Sequence, residues 1–275
     1  MSNAIKRWST CWDSVKHLLK APTGDDVIDV VIDIFQSAEI LDSRVAGKLR
    51  RLIAEMQARY HPTPYHNFVH ATHVLVGTYI LLENSLIKWT RVEKAALLYT
   101  ALAHDVQHQG VPNIQLVKEN SPLAQKFNNI SVAENNSFEI AMALLVGTEG
   151  QEPLDIFEDF KAEEKDLFRS LCRSILLCTD IADRESTQRL YASISNMLEN
   201  TTSKSDEHAF DITNQNYRCN ILCLCMKLAD IGAPIQELST ALCWAQLFFN
   251  ECSAAHASGR GAAIGKLVLS ISSKC

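Results

Sequence analysis

Residues 90–110 read TRVEKAALLYTALAHDVQHQG, an apolar helix that is capped at one end and stops at chemistry at the other. Thr90 and Glu93 sit at the spacing of a capping box, in which a side-chain oxygen at each end of the first turn satisfies a backbone N–H of the other. From this start an apolar helix is predicted to run to His104. It ends at His104-Asp105, with His108 following and then Gly110 and Pro112, a turn signal. Imidazole and carboxylate side by side at the end of an apolar helix suit a divalent cation.

Outward from this stretch the periodicity stays helical. VIDVVIDIF follows Asp25 and Asp26. Val45, Leu49, Leu52, Ile53, Met56 and Tyr60 mark a second helix, which ends before His61-Pro62. A helix from about Tyr65 to Leu82 is expected to carry His66, His70 and His73 at i, i+4 and i+7, within one face. Ser121 before Pro122 is a helix start, and Ser131 with Glu134 reads as a second capping box opening a helix to about Val146. Further helices are predicted over 163–180, 186–199, 214–230 and 235–251, with no strand pattern before the last few residues. The fold class is all-α.

Composition narrows the function. A chain of 275 residues that is 47% apolar can bury a large core. A formal net charge of -6 disfavours nucleic acid as a partner, although a metal site could hold one small anion. No run reaches the roughly 18 apolar residues of a membrane span, and MSNAIKRWSTCW lacks the apolar core of a signal peptide. Nine cysteines, an odd number, favour free thiols and a cytoplasmic location. Cys219, Cys223 and Cys225 lie in an apolar run and read as buried small side chains. GRGAAIGK near the end lacks the first glycine and the final Ser or Thr of a phosphate loop.

His66, His70, His104, Asp105 and His108 crowd around two turn signals, and Asp230 closes the apolar helix that ends in KLADIGAP. A carboxylate at a helix C-terminus opposes the helix dipole, and a cation would compensate it. Cation-bound water loses its proton near pH 7 and can attack phosphorus or a carbonyl. His73 reads as a satisfied structural histidine. Glu134 reads first as a residue holding its own helix start.

YHNFVHATHV (65–74) followed by ALAHDVQHQGVPN (101–113) resembles the catalytic domain of class I 3′,5′-cyclic nucleotide phosphodiesterases, of the His-Asp superfamily. The resemblance continues through SPLAQKFNNISVAENN, ILLCTDI and KLADIGAPI to Trp244 and Glu251. It implies a compact all-helical fold and a pocket with two divalent ions, Zn2+ in the first site and Mg2+ or Mn2+ in the second. By motif position it makes His70, His104, Asp105 and Asp230 the metal ligands, Asp105 bridging, and His66 the general acid toward the 3′ oxygen. Tyr65, His108, Asn113, Glu134, Thr179 and Asp180 fall in the supporting shell and nucleotide pocket. The implied substrate is cyclic AMP or cyclic GMP, and a homodimer is compatible with it.

The chain departs from the family pattern in three places. Asn136 and Ser137 stand where two histidines are usual, and Ala233 stands where an asparagine precedes Pro234. From Cys252 the composition turns to small residues, so the expected division is a leader helix or extension over 1–25, an incomplete catalytic domain over 26–251, and an unrelated tail over 252–275. The C-terminal helices of the family, with their purine-binding glutamine and aromatic clamp, are then missing, as a frameshift, alternative splicing or a gene-model error would produce. That leaves a second expectation, an impaired relative acting as a regulatory or interaction fragment. A third, a hydrolase of deoxynucleotides, is disfavoured by the YHN element.

Overall fold

The computed structural model describes residues 24–202, 213–233 and 236–261. Among them there are α-helices and no named strand: α1 (Gly24–Ser37), α2 (Ala46–Arg59), α3 (Phe68–Glu83), α4 (Arg91–Ala103), α5 (Asn113–Lys118), α6 (Pro122–Lys126), α7 (Val132–Val146), α8 (Ala162–Leu177), α9 (Arg184–Thr202), α10 (Gln215–Asp230) and α11 (Leu238–Ala257). The leader expected over 1–25 and the tail from 262 onward fall outside the described residues, apart from the first residues of α1.

Two helices form the centre because neither has a polar face to give to water. In α4 every residue from Ala95 to Ala103 is buried, and α3 buries all but a few of its positions. Packing follows from this: α4 lies against α8 and α3, and α3 against α10. Each buried Leu or Phe contributes roughly 1.5–3 kcal/mol. Two buried phenols are placed by backbone acceptors, Tyr60 donating to Leu102 O at 2.8 Å and Tyr99 to Ala141 O at 2.6 Å. Cys219, Cys223 and Cys225 pack in or against this core as free thiols.

The Thr90–Glu93 capping box forms as predicted. Glu93 does a second job that no local pattern reveals. Both its oxygens accept from Arg218 on α10, at 2.6 Å each, and the guanidinium lies 5.0 Å from the Trp89 ring. With both side chains nearly buried, removing one partner strands the other. Glu93→Ala is therefore expected to cost about 3 kcal/mol, read as a lower urea midpoint with an unchanged slope.

Three sequence expectations change. The histidine helix starts at Phe68, not Tyr65, because Asn67 turns its side chain to accept from Val69 N (2.9 Å) and His70 N (3.2 Å) as an N-cap. His66 thus precedes the helix and shares no face with His70 and His73. Ser131 is left-handed (φ 40°) and makes no cap bond, so the second capping box does not form. Finally, α11 does not stop at Glu251. It runs to Ala257, with Cys252 and Ala255 buried, and Arg260 pairs with Glu119 at 2.7 Å. Alanine is the best helix former, and Ala254, Ala255 and Ala257 carry the helix past the compositional change at Cys252.

Candidate metal centre and active-site cavity

His70 reaches the centre from the first turn of α3, His104 and Asp105 from the end of α4, and Asp230 from the end of α10. His70 Nε2 lies 3.2 Å from Asp230 Oδ1 and 3.5 Å from Asp105 Oδ2. His104 Nε2 lies 3.0 Å from Asp105 Oδ2 and 3.4 Å from Asp230 Oδ1. The four residues named from the sequence as metal ligands therefore converge.

Whether they suit a cation is tested by His104. Its Nδ1 donates to Ala101 O at 2.9 Å, which in the neutral ring leaves a lone pair on Nε2. That buried atom is near two carboxylates but off the line of any hydrogen bond. Lone pairs facing carboxylate oxygens repel unless a proton or a cation lies between them. Without a cation the group compensates with protons. Burial lowers the His104 pKa, but Asp105 and Asp230 more than reverse this and hold it well above the usual value. Burial alone would raise Asp105 and Asp230; the facing imidazoles, His104 foremost, bring both below the carboxylate range. Two imidazoles and two carboxylates fit a divalent cation, with Asp105 free to offer its second oxygen to a neighbour.

His66 is held by Glu251, a residue the sequence reading placed in the resemblance but not in the site. Glu251 Oε2 accepts from the N–H groups of Tyr65 and His66, each at 2.9 Å, while Oε1 is bonded to His66 Nδ1. The place of Glu251 seven residues after Trp244, on the same face of an apolar helix, is the signal in the sequence that could have found it. Burial raises the Glu251 pKa, but His66 outweighs it and holds the carboxyl at about 2. Burial likewise lowers His66, and Asp105 and then Glu251 reverse the sign, leaving it above its usual value. Gly110 makes room for this pair: at φ +67°, a Cβ there would stand 3.2 Å from Thr63 and 3.3 Å from Glu251. The His108 ring packs tilted against His66, with ring centroids 4.0 Å apart, and burial followed by His66 pushes its pKa down to about 4.

The supporting residues form one network. Asn113 Nδ2 donates to Glu134 Oε2 at 2.7 Å and its Oδ1 accepts from Ala133 N at 2.9 Å, so Asn113 does the work expected of the capping box. Ser131 Oγ donates to Asp180 Oδ2 at 2.8 Å. Thr179 donates to Leu176 O at 2.7 Å and lines the same cavity as Asp180. Ser137, in place of a usual histidine, donates to Val106 O at 3.0 Å and braces the turn after Asp105. Tyr65 packs against His70 with ring centroids 4.6 Å apart. His73 stays structural, stacked on buried Trp244 and bonded to Gln236.

Glu134 gives a pH signature. Burial, then the Asp180 carboxylate, raise its pKa to about 7 against the Asn113 bond. A carboxyl raised in the folded state holds its proton more tightly there, so its stabilisation is complete below about pH 4.5 and gone above about pH 7. Between pH 5 and 7.5 the metal-free protein is expected to lose about 2 kcal/mol more stability than its Glu134→Gln variant. Urea unfolding at the two pH values checks this, and equal losses in the two proteins would refute it.

Tyr65, His66, Asp105, His108, Asn113, Glu134, Thr179, Asp180, Asp230 and Glu251 face a cavity of about 570 Å³, whose other wall is apolar, with Ile231, Ala241, Ala245 and Phe248. Among the described residues no helix is long and apolar enough to cross a membrane.

A sequence model of the family described as 3'5'-cyclic nucleotide phosphodiesterase matches residues 65–263, running past Glu251 where the resemblance was expected to stop. The chain is 28% identical to the rat (Rattus norvegicus) 3',5'-cyclic-AMP phosphodiesterase 4C over 227 residues, which cover 81% of this chain and 41% of the relative. It is 29% identical to the Drosophila melanogaster 3',5'-cyclic-AMP phosphodiesterase, isoform F, over 81% of this chain and 33% of the relative. The chain thus spans less than half the length of these relatives. Its fold matches the crystal structure of the phosphodiesterase domain of the RhoPDE fusion protein from the choanoflagellate Salpingoeca rosetta, with TM-score 0.72 and 26% identity, covering 84% of this chain and 70% of that one. With an all-α fold, converging imidazoles and carboxylates, and a family match over most of its length, the chain belongs to the 3',5'-cyclic nucleotide phosphodiesterase family.

Proposed function

We propose that this chain hydrolyses a 3′,5′-cyclic nucleotide to the 5′-monophosphate, ending a cyclic nucleotide signal, with cyclic AMP the first substrate to test. The observation that carries this is one cavity bordered both by Asp105 and Asp230, the carboxylates of the converging cluster, and by a histidine held in register by a buried glutamate. The names of the relatives favour cyclic AMP, and cyclic GMP is the comparison.

His70, His104, Asp105 and Asp230 would hold the first cation, zinc by donor type, and Asp105 would reach a second, magnesium or manganese. Bound there, such cations supply Lewis acidity toward a phosphate oxygen and lower the pKa of water. Glu251 fixes His66 through Nδ1, so the His66 Nε2–H is left to donate to the departing 3′ oxygen. Against burial, Asp105 and Glu251 raise the His66 pKa above its usual value, which favours the protonated ring this role requires. Asn113, Glu134, Thr179 and Asp180 orient water at the cavity floor, and the apolar wall receives the base. The free thiols among the described residues support a cytoplasmic setting.

Incubating the purified chain with magnesium and either nucleotide, then separating products by chromatography, is the test. The 5′-monophosphate should form and should vanish with EDTA. A folded, metal-loaded protein that turns over neither nucleotide overturns the reading and favours the interaction fragment. That second reading has one observation of its own, the exposed apolar side chains Ile114, Ile181 and Ile231 on residues lining the cavity.

A further inference from the structure

Next to the first centre lies a second set of donor atoms. We infer that His66, His108 and Glu251 form a separate zinc site, and that zinc bound there inhibits the enzyme by taking over its proton donor. The inhibitory half of this rests on the reading of His66 as general acid.

The three residues come from unconnected segments: the bend before α3, the turn after α4, and α11. Their ligand atoms nevertheless lie within 4.8 Å of one another, and none belongs to the His70, His104 and Asp230 group. All three line the cavity, so an ion can reach them from solvent. Two imidazoles and one carboxylate with an open fourth position are the donor set of zinc or cobalt. Magnesium, which prefers oxygen ligands and keeps its waters, is poorly served by it. Glu251 is already fixed by two backbone N–H groups, so one ligand is preorganised.

Zinc would replace the proton shared by His66 Nδ1 and Glu251, or bind His66 through Nε2. In either mode a bond to zinc forms, one proton leaves the imidazolium for solvent, and no oxidation state changes. If Nε2 is covered, no proton remains for the leaving oxygen. If Nδ1 is covered, giving up the Nε2 proton would create an imidazolate, and transfer stops at neutral pH. His108 Nδ1 accepts from Gly110 N–H at 3.1 Å, and coordination through His108 sacrifices that bond. The site is therefore weaker than the first centre and fills only when zinc is in excess.

The experiment is a zinc titration of the full chain in saturating magnesium, followed by equilibrium dialysis and metal analysis without nucleotide. Wild type should take up one more zinc per chain than the first centre accounts for. His108→Ala should weaken that ion at least tenfold while retaining the tighter zinc. His108→Phe, which keeps a ring against His66 but has no nitrogen, guards against misfolding as the cause. In parallel, hydrolysis by wild type should fall as the extra zinc binds. No extra zinc, or one that both variants hold as tightly as wild type, overturns the site. Variant-sensitive zinc uptake by a protein inert in magnesium alone supports the site and overturns the hydrolysis reading instead.

Discussion

Exchanging His66 for glutamine lowers turnover of a cyclic nucleotide by about 10²–10⁴-fold and leaves the tightly bound metal of the purified protein unchanged. The size follows from losing a positioned general acid. The separation of the two readouts follows from geometry: His66 is fixed by Glu251, whereas the first centre is built from His70, His104, Asp105 and Asp230. Glutamine can still hydrogen-bond to Glu251 but carries no titratable proton for the 3′ oxygen. A substrate whose leaving group needs no proton should be hydrolysed by the variant at close to the wild-type rate. Metal content by mass spectrometry and product formation by chromatography decide the matter. A variant that lost its tight metal would make His66 a ligand of that centre, and one with full turnover would move the acid elsewhere.

Asp230→Asn should separate metal from fold in the opposite direction. Asp230 touches both imidazoles of the cluster, at 3.2 and 3.4 Å, so an amide there removes a charge and an anionic donor together. Losing a residue that only hydrogen-bonds to a metal ligand costs about 10–100-fold in metal affinity, and loss of a ligand itself should exceed the upper figure. Wild type at metal 100-fold above its Kd gains about 2.7 kcal/mol over its metal-free form, visible as a lower Tm in EDTA. The variant should melt alike with and without EDTA and be inactive. Its metal-free form should also be less stable than metal-free wild type, because the two buried imidazoles that hold the Asp230 carboxyl below its usual range, against burial, lose an anionic partner. An EDTA-sensitive Tm in Asp230→Asn would take Asp230 out of the centre.

The parts of the fold legible in the sequence are those set within one or two helical turns. Thr90 with Glu93 marked a helix start because both partners of the capping box lie in one turn. Ser131 with Glu134 had the same pattern and did not form the box. There Asn113 and Asp180, distant in sequence, offered stronger partners to Glu134 and Ser131, and the chain took a left-handed turn. The helix expected from Tyr65 began three residues later because Asn67 satisfies two amides as a cap. The bend this creates is what lets Tyr65 N and His66 N meet Glu251.

By itself the sequence determined the all-α class, the order of the helices and, through family spacing, the four side chains proposed as metal ligands. Apolar periodicity and motif spacing are local properties, and any window of the chain displays them. Only the tertiary structure decided that Asp230 meets His70 across 160 residues and that Glu251 holds His66 across 185. It also decided that Glu93 anchors Arg218 as well as its own helix. These contacts depend on how α10 and α11 pack against α3 and α4. That packing is a sum of many buried contacts between distant segments, and no single stretch of sequence contains it.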